Sequence, residues 1–147
     1  MKGFSLVEVL IAISIMVVIG ALGIVSLVSY GRKENLEMTT AKIQALLEEA
    51  RSLTLSSRND MQYGVHLNNH EAVLFQGAIY AISSESNQSF VFSDSVNVSS
   101  DFVGGGVDVL FDRLRGTTDN YGTTTITSSL GISKEIIIHK TGLIERE

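Results

Sequence analysis

Hydrophobic and polar positions divide this chain into three stretches with different periods. The first is apolar all round: residues 9–28 are broken only by Ser14, Gly20, Gly23 and Ser26, and Glu8 is the one charged side chain between Lys2 and Arg32. Twenty helical residues extend roughly 30 Å, the hydrocarbon thickness of a bilayer. The second stretch, 32–57, is one-sided. Leu36, Ile43, Leu46, Leu47, Ala50 and Leu53 recur at helical spacing, Thr39, Thr40 and Thr54 widen the stripe, and Glu34, Ala41, Glu48 and Ser52 fall opposite. Glu48 and Arg51 are spaced for an i,i+3 ion pair. No helix breaker comes before Ser56-Ser57-Arg58-Asn59-Asp60, so the pattern predicts one helix over 4–57, about 80 Å long.

From Met61 the period changes to two. Strands are predicted over 62–67, 71–76, 78–82, 89–92, 95–98, 107–111, 123–127, 134–139 and 143–144. Asn68-Asn69 reads as a two-residue hairpin turn, setting Leu67 opposite His70 and His66 opposite Glu71. A helix followed by successive strands with short connections predicts an α+β fold, a long N-terminal helix packed on a C-terminal antiparallel sheet. The expected divisions are 1–3, a leader; 4–31, an apolar helix; 32–57, its amphipathic half; and 58–147, a β-rich globular domain.

Composition narrows the picture further. Of 147 residues, little more than a hundred follow the apolar run, enough for one modest core. There is no Cys, so no disulfide framework, and no Pro to kink the helix; Gly20 and Gly23 are its weak points or, as Gly-x-x-Gly, a close-packing surface. The formal net charge of −5 argues against a nucleic-acid surface over the whole chain.

Candidate chemistry is sparse. His66 and His70 bracket the hairpin turn and alternate in face, which separates them as metal ligands, and His139 has no partner in sequence. Asp94, Asp101, Asp108, Asp112 and Asp119 do not follow the alternating ligand positions of an EF-hand. Gly104-Gly105-Gly106 lacks the Lys-Ser/Thr of a P-loop, and no G-x-S-x-G elbow is present. No catalytic residue, metal or cofactor is expected, and the chain does not read as an enzyme. Arg113, Arg115, Lys134 and Lys140 could form a small basic patch, while Arg146 lies between Glu145 and Glu147.

The N-terminus admits three readings. A secretory signal peptide would have a shorter apolar core, a more basic lead-in and a small-residue exit than 1–30 offers. A plain anchor explains the hydrophobicity but not Gly3, Phe4 and Glu8. The third reading covers all of them: Met1-Lys2-Gly3, the Gly3-Phe4 junction, Glu8 and the long apolar run together resemble a type IV prepilin. The C-terminal third adds to it. Val109 to Gly116, Thr123 to Thr127, Ile136-Ile137-Ile138 and Thr141-Gly142-Leu143-Ile144, with Ala50-Arg51 in the helix, resemble the GspH/FimT family of minor pilins and pseudopilins.

The resemblance implies cleavage after Gly3, N-methylation of Phe4, and pairing of Glu8 with the Phe4 amine of a neighbouring subunit. The implied function is a structural subunit of a type IV pilus, type II secretion or competence filament. Its implied partners are a prepilin peptidase/N-methyltransferase, other pilins met through the N-terminal helix, an inner-membrane assembly platform, and membrane lipid before assembly. The N-terminus would be cytoplasmic and the globular domain extracytoplasmic, although Arg32 and Lys33 do not favour that orientation by charge alone. The other reading kept open is a membrane-anchored extracytoplasmic binding module for DNA or a surface ligand.

Overall fold

A single helix, α1, runs over Leu6–Leu55, 50 residues or about 75 Å. The computed structural model describes residues 5–147, leaving the side chains of 21–28 outside the description. The helix ends two residues before its expected end, because Ser57 turns into the left-handed region at φ 49°. Asn59 and Asp60 also have positive φ, and a single 3-10 turn over Arg58–Asp60 redirects the chain. Short polar side chains tolerate this conformation, and here they close the corner between helix and sheet.

The β region forms two four-stranded antiparallel sheets rather than one. In chain order the strands are β1 (Tyr63–Leu67), β2 (Glu71–Gln76), β3 (Gln88–Val91), β4 (Val96–Phe102), β5 (Asp108–Leu110), β6 (Gly122–Ser128), β7 (Ser133–Ile138) and β8 (Ile144–Arg146). The first sheet has the order β3-β2-β1-β5 and the second β4-β6-β7-β8. Alternation is clean in the second sheet: Val96, Val98 and Phe102 of β4 point inward with Ile126 of β6 and Ile136 and Ile138 of β7. All of them join one core with Leu36, Ile43, Leu46, Leu47 and Ala50 of α1 and with Val65, Leu67, Ala72 and Leu74 of the first sheet. Thr40 and Thr54 sit in this apolar stripe at no cost in unmet hydrogen bonds, since their hydroxyls donate to Leu36 O and Ala50 O.

Two sequence expectations fail in the first sheet. Residues 78–82 are not a strand. They belong to the loop 77–87, which opens at Gly77 with φ 116° and folds over the sheet's outer face. Only Tyr80 is held there: its ring stacks on His66 at 4.0 Å and meets Phe75 edge-on at 5.6 Å. Val73 and Phe75 are consequently buried on the side away from the main core. The hairpin register is also shifted: Leu67 pairs with Ala72 and His66 with Val73, and Asn68 N–H donates to Glu71 O, so Asn69-His70 form the turn. The shift moves each cross-strand partner by two residues, so every side chain of β2 keeps the face that the Asn68-Asn69 register would have given it.

Candidate assembly helix and surrounding side chains

The described side chains at the start of α1, over 5–20, stand clear of the domain. Ser5 is the N-cap residue; its carbonyl accepts from the Glu8 and Val9 N–H groups at 3.0 and 3.3 Å, without help from its hydroxyl. Glu8 lies in the first helical turn, where the helix dipole favours a negative charge. Every side chain from Ser5 to Gly20 is exposed, with Leu6 at 76% and Met16 at 73%. Ser14, the polar interruption here, donates its hydroxyl to Leu10 O at 2.8 Å, so that donor is met within the helix. Among the described residues the first buried side chain is Leu36, about 42 Å along the axis from Glu8. The exposed apolar surface over 5–20 has no cover from the described residues of its own chain and no structural role within the monomer.

Gly3 and Phe4, the expected cleavage and methylation positions, lie outside the described residues, as does the environment of Gly23. Among the described residues no helix is long and apolar enough to cross a membrane; the 9–28 run includes the eight positions left out of that description.

Elsewhere the structure sorts the remaining candidates. His66 and His70 do not come together: His66 Nδ1 meets Asp108 Oδ1 at 2.5 Å across β1 and β5, while His70 is exposed in the turn. His139 does have a partner, Glu145, at 3.0 Å across the β7–β8 turn. Asp112 accepts from the Thr117 hydroxyl at 2.7 Å. Among the described residues no three His, Asp or Glu side chains are grouped to hold a metal ion. The four basic residues do not make one patch. Arg113 is tied to Asp60 and Ser57 beyond the end of α1, whereas Lys134 bonds Glu37 at 3.0 Å, about 30 Å away along the helix. The expected Glu48–Arg51 pair is not formed: Glu48 accepts from Gln44 at 2.8 Å, and Arg51 Nε donates to Gly116 O at 3.3 Å.

Two arrangements have no sequence signal because their members are far apart in the chain. Glu37 of α1 receives both Lys134 of β7 and Arg146 of β8, clamping the last strands to the helix. The hydrogen bond from Lys134 holds the Glu37 carboxyl below the ordinary glutamate range; partial burial opposes this, and Arg146 reinforces it. At the other end, Gly116 and Gly142 meet over Arg51 so closely that a Cβ on Gly142 would strike Gly116 O.

The helix thus buries one stripe of its second half against antiparallel sheets and leaves 5–20 exposed. No family model matches the sequence, and no curated protein matches it. Solved structures do match. The type IV minor pilin FimU of Pseudomonas aeruginosa aligns over 78% of this chain and 90% of its own, with a TM-score of 0.62 and 15% identity. The minor pseudopilin EpsH from the type 2 secretion system of Vibrio cholerae aligns over 77% and 96%, with a TM-score of 0.60 and 8% identity. At such identities the likeness establishes the fold, an α+β pilin-like one.

Proposed function

We propose that this chain is a structural subunit, a minor pilin or pseudopilin, of a type IV pilus, type II secretion or competence filament. The observation that carries the reading is the apolar surface of α1 exposed from Ser5 to Gly20, with a carboxylate in its first turn. A surface of that kind is stable only when lipid or other helices cover it. In this reading 9–28 lies in the inner membrane before assembly, with the domain extracytoplasmic. A prepilin peptidase/N-methyltransferase removes 1–3 and methylates Phe4. The absence of a side chain at Gly3 gives that peptidase close access to the backbone.

Cleavage creates an amine at Phe4, cationic at neutral pH, one helical turn from Glu8. A carboxylate in a low-dielectric helix bundle is costly alone and tolerated when paired, so Glu8 seeks the amine of an adjacent subunit and fixes register between the two helices. An ATPase elsewhere in the machinery supplies the energy; the chain supplies the rod. Glu8→Ala is expected to leave the protein membrane-inserted but absent from sheared filaments. Mass spectrometry of the native N-terminus tests the processing directly, and a chain still carrying Met1-Lys2-Gly3 would defeat the proposal.

A further inference from the structure

We propose that the tip of the β6–β7 hairpin, Leu130-Gly131-Ile132, is a membrane-docking element that seats the globular domain on an anionic lipid surface beside Tyr30, Arg32 and Lys33. The inference rests on the reading that 9–28 spans a bilayer.

Helix geometry sets the levels. Tyr30 lies about 3 Å and Asn35 about 10 Å beyond the end of the apolar run, and the headgroup layer on one side is about 5–7 Å deep. Tyr30 is 69% exposed, in the place where interfacial aromatic residues sit. The hairpin is hung from the level of Asn35, just outside that layer. Asn35 Nδ2 donates to Ser93 Oγ at 3.4 Å and Ser95 Oγ at 3.3 Å, and Ser95 O accepts from Ser129 N–H at 2.8 Å. Lys134, just after the turn, reaches Glu37. From Ser133 onward β7 leads away from this level toward His139 and the far end of the domain. Residues 129–132 therefore form the part of the second sheet nearest the apolar run.

The chemistry of the tip fits lipid. The turn is closed by Gly131 N–H to Ser128 O and Ser128 N–H to Ile132 O, both 2.8 Å, so its shape is fixed before contact. Leu130 and Ile132 stand in it, each 39% exposed, where hairpin turns ordinarily carry Asn, Asp or Gly. Arg32 and Lys33 add attraction to anionic headgroups. Glu34 and Asp94 oppose it at the same level, while Glu37, Lys134 and Arg146 are occupied with one another. The result is a two-point seat: the helix on one side and an apolar tip on the other, holding the domain at a fixed tilt.

Because the chain has no Cys, Ser129→Cys, Lys140→Cys and Ala12→Cys each provide a unique bimane label in the full-length protein. The labelled proteins are reconstituted in vesicles of phosphatidylcholine and phosphatidylglycerol. With a spin label on the lipid headgroup, the Ser129 probe is expected to lose about half its emission and the Lys140 probe to keep its own, since docking groups settle within the headgroup layer. Adding Leu130→Asp and Ile132→Asp should restore the Ser129 signal. If the Ala12 probe is quenched by an acyl-chain label while Ser129 is quenched no more than Lys140, the docking proposal is overturned and the span stands. An Ala12 probe untouched by the acyl-chain label overturns the span and the docking together. A Ser129 probe that stays bright in vesicles yet is shielded in assembled filaments assigns the tip to a neighbouring subunit instead of lipid.

Discussion

At Gly64 there is no room for a methyl group. A Cβ there would sit 2.6 Å from Phe75 Cζ and 2.7 Å from Val109 O, because the Phe75 ring lies directly over its cross-strand partner. The ring could shift but the carbonyl of β5 cannot without breaking the ladder, so Gly64→Ala should destabilise the domain by about 1–3 kcal/mol in urea denaturation. Glu37 makes a prediction about pH. Its carboxyl is held below the ordinary value when folded, chiefly by Lys134, so the stabilisation it contributes is present above the ordinary glutamate pKa and fades as pH falls through the lowered one. Glu37→Gln should lower the melting temperature at neutral pH, and the gap from the native chain should close in acid below the glutamate range. A gap that stays constant with pH would show that the clamp acts through packing alone.

Among the elements, α1 serves two environments with one uninterrupted backbone. Its second half is an amphipathic helix of the ordinary kind, and truncating a fully buried member such as Leu47→Ala should cost about 2–5 kcal/mol. The loop 77–87 behaves differently. Ile79 and Ile82 are each 84% exposed, so the loop is held by Tyr80 and by its own bonds, among them Asn87 Nδ2 to Ala81 O at 2.8 Å. Tyr80→Ala should therefore speed proteolytic cleavage within 77–87 several-fold while moving the domain's unfolding midpoint little, because local opening and global unfolding are separate equilibria here. The sequence showed an apolar Ala-Ile-Tyr-Ala-Ile run and suggested a strand. The run failed as one because a single one of its side chains, Tyr80, found a surface to cover, and the others had no facing sheet.

For the whole molecule, the core of the domain begins at Leu36, and the described side chains of the first half of α1 add nothing to it. Removing residues 1–32 should leave the melting temperature of the remaining domain within about 2 °C of the full chain's, since surface changes away from a core move stability by only a few tenths of a kcal/mol. The organisation by regime was legible in the chain: the all-round apolar run, the one-sided stripe with its three threonines, and most strands are local patterns, and a local pattern fixes which face of an element must leave water. The division into two sheets was not, because antiparallel strands of like composition can pair in several orders and only the shared core selects among them. Neither was the hairpin register, where Asn69-His70 rather than Asn68-Asn69 form the turn while every side chain keeps its expected face. The clamp of Glu37 by Lys134 and Arg146 joins residues about a hundred positions apart, and the meeting of Gly116 with Gly142 depends on two turns arriving at one point. What sequence alone determined is the character of each stretch and the isolation of Glu8 in an apolar rod, since both follow from side-chain chemistry and helical or strand period. What only the tertiary structure decided is which distant groups meet, because that depends on closing long loops around a common core rather than on any preference held within a few residues.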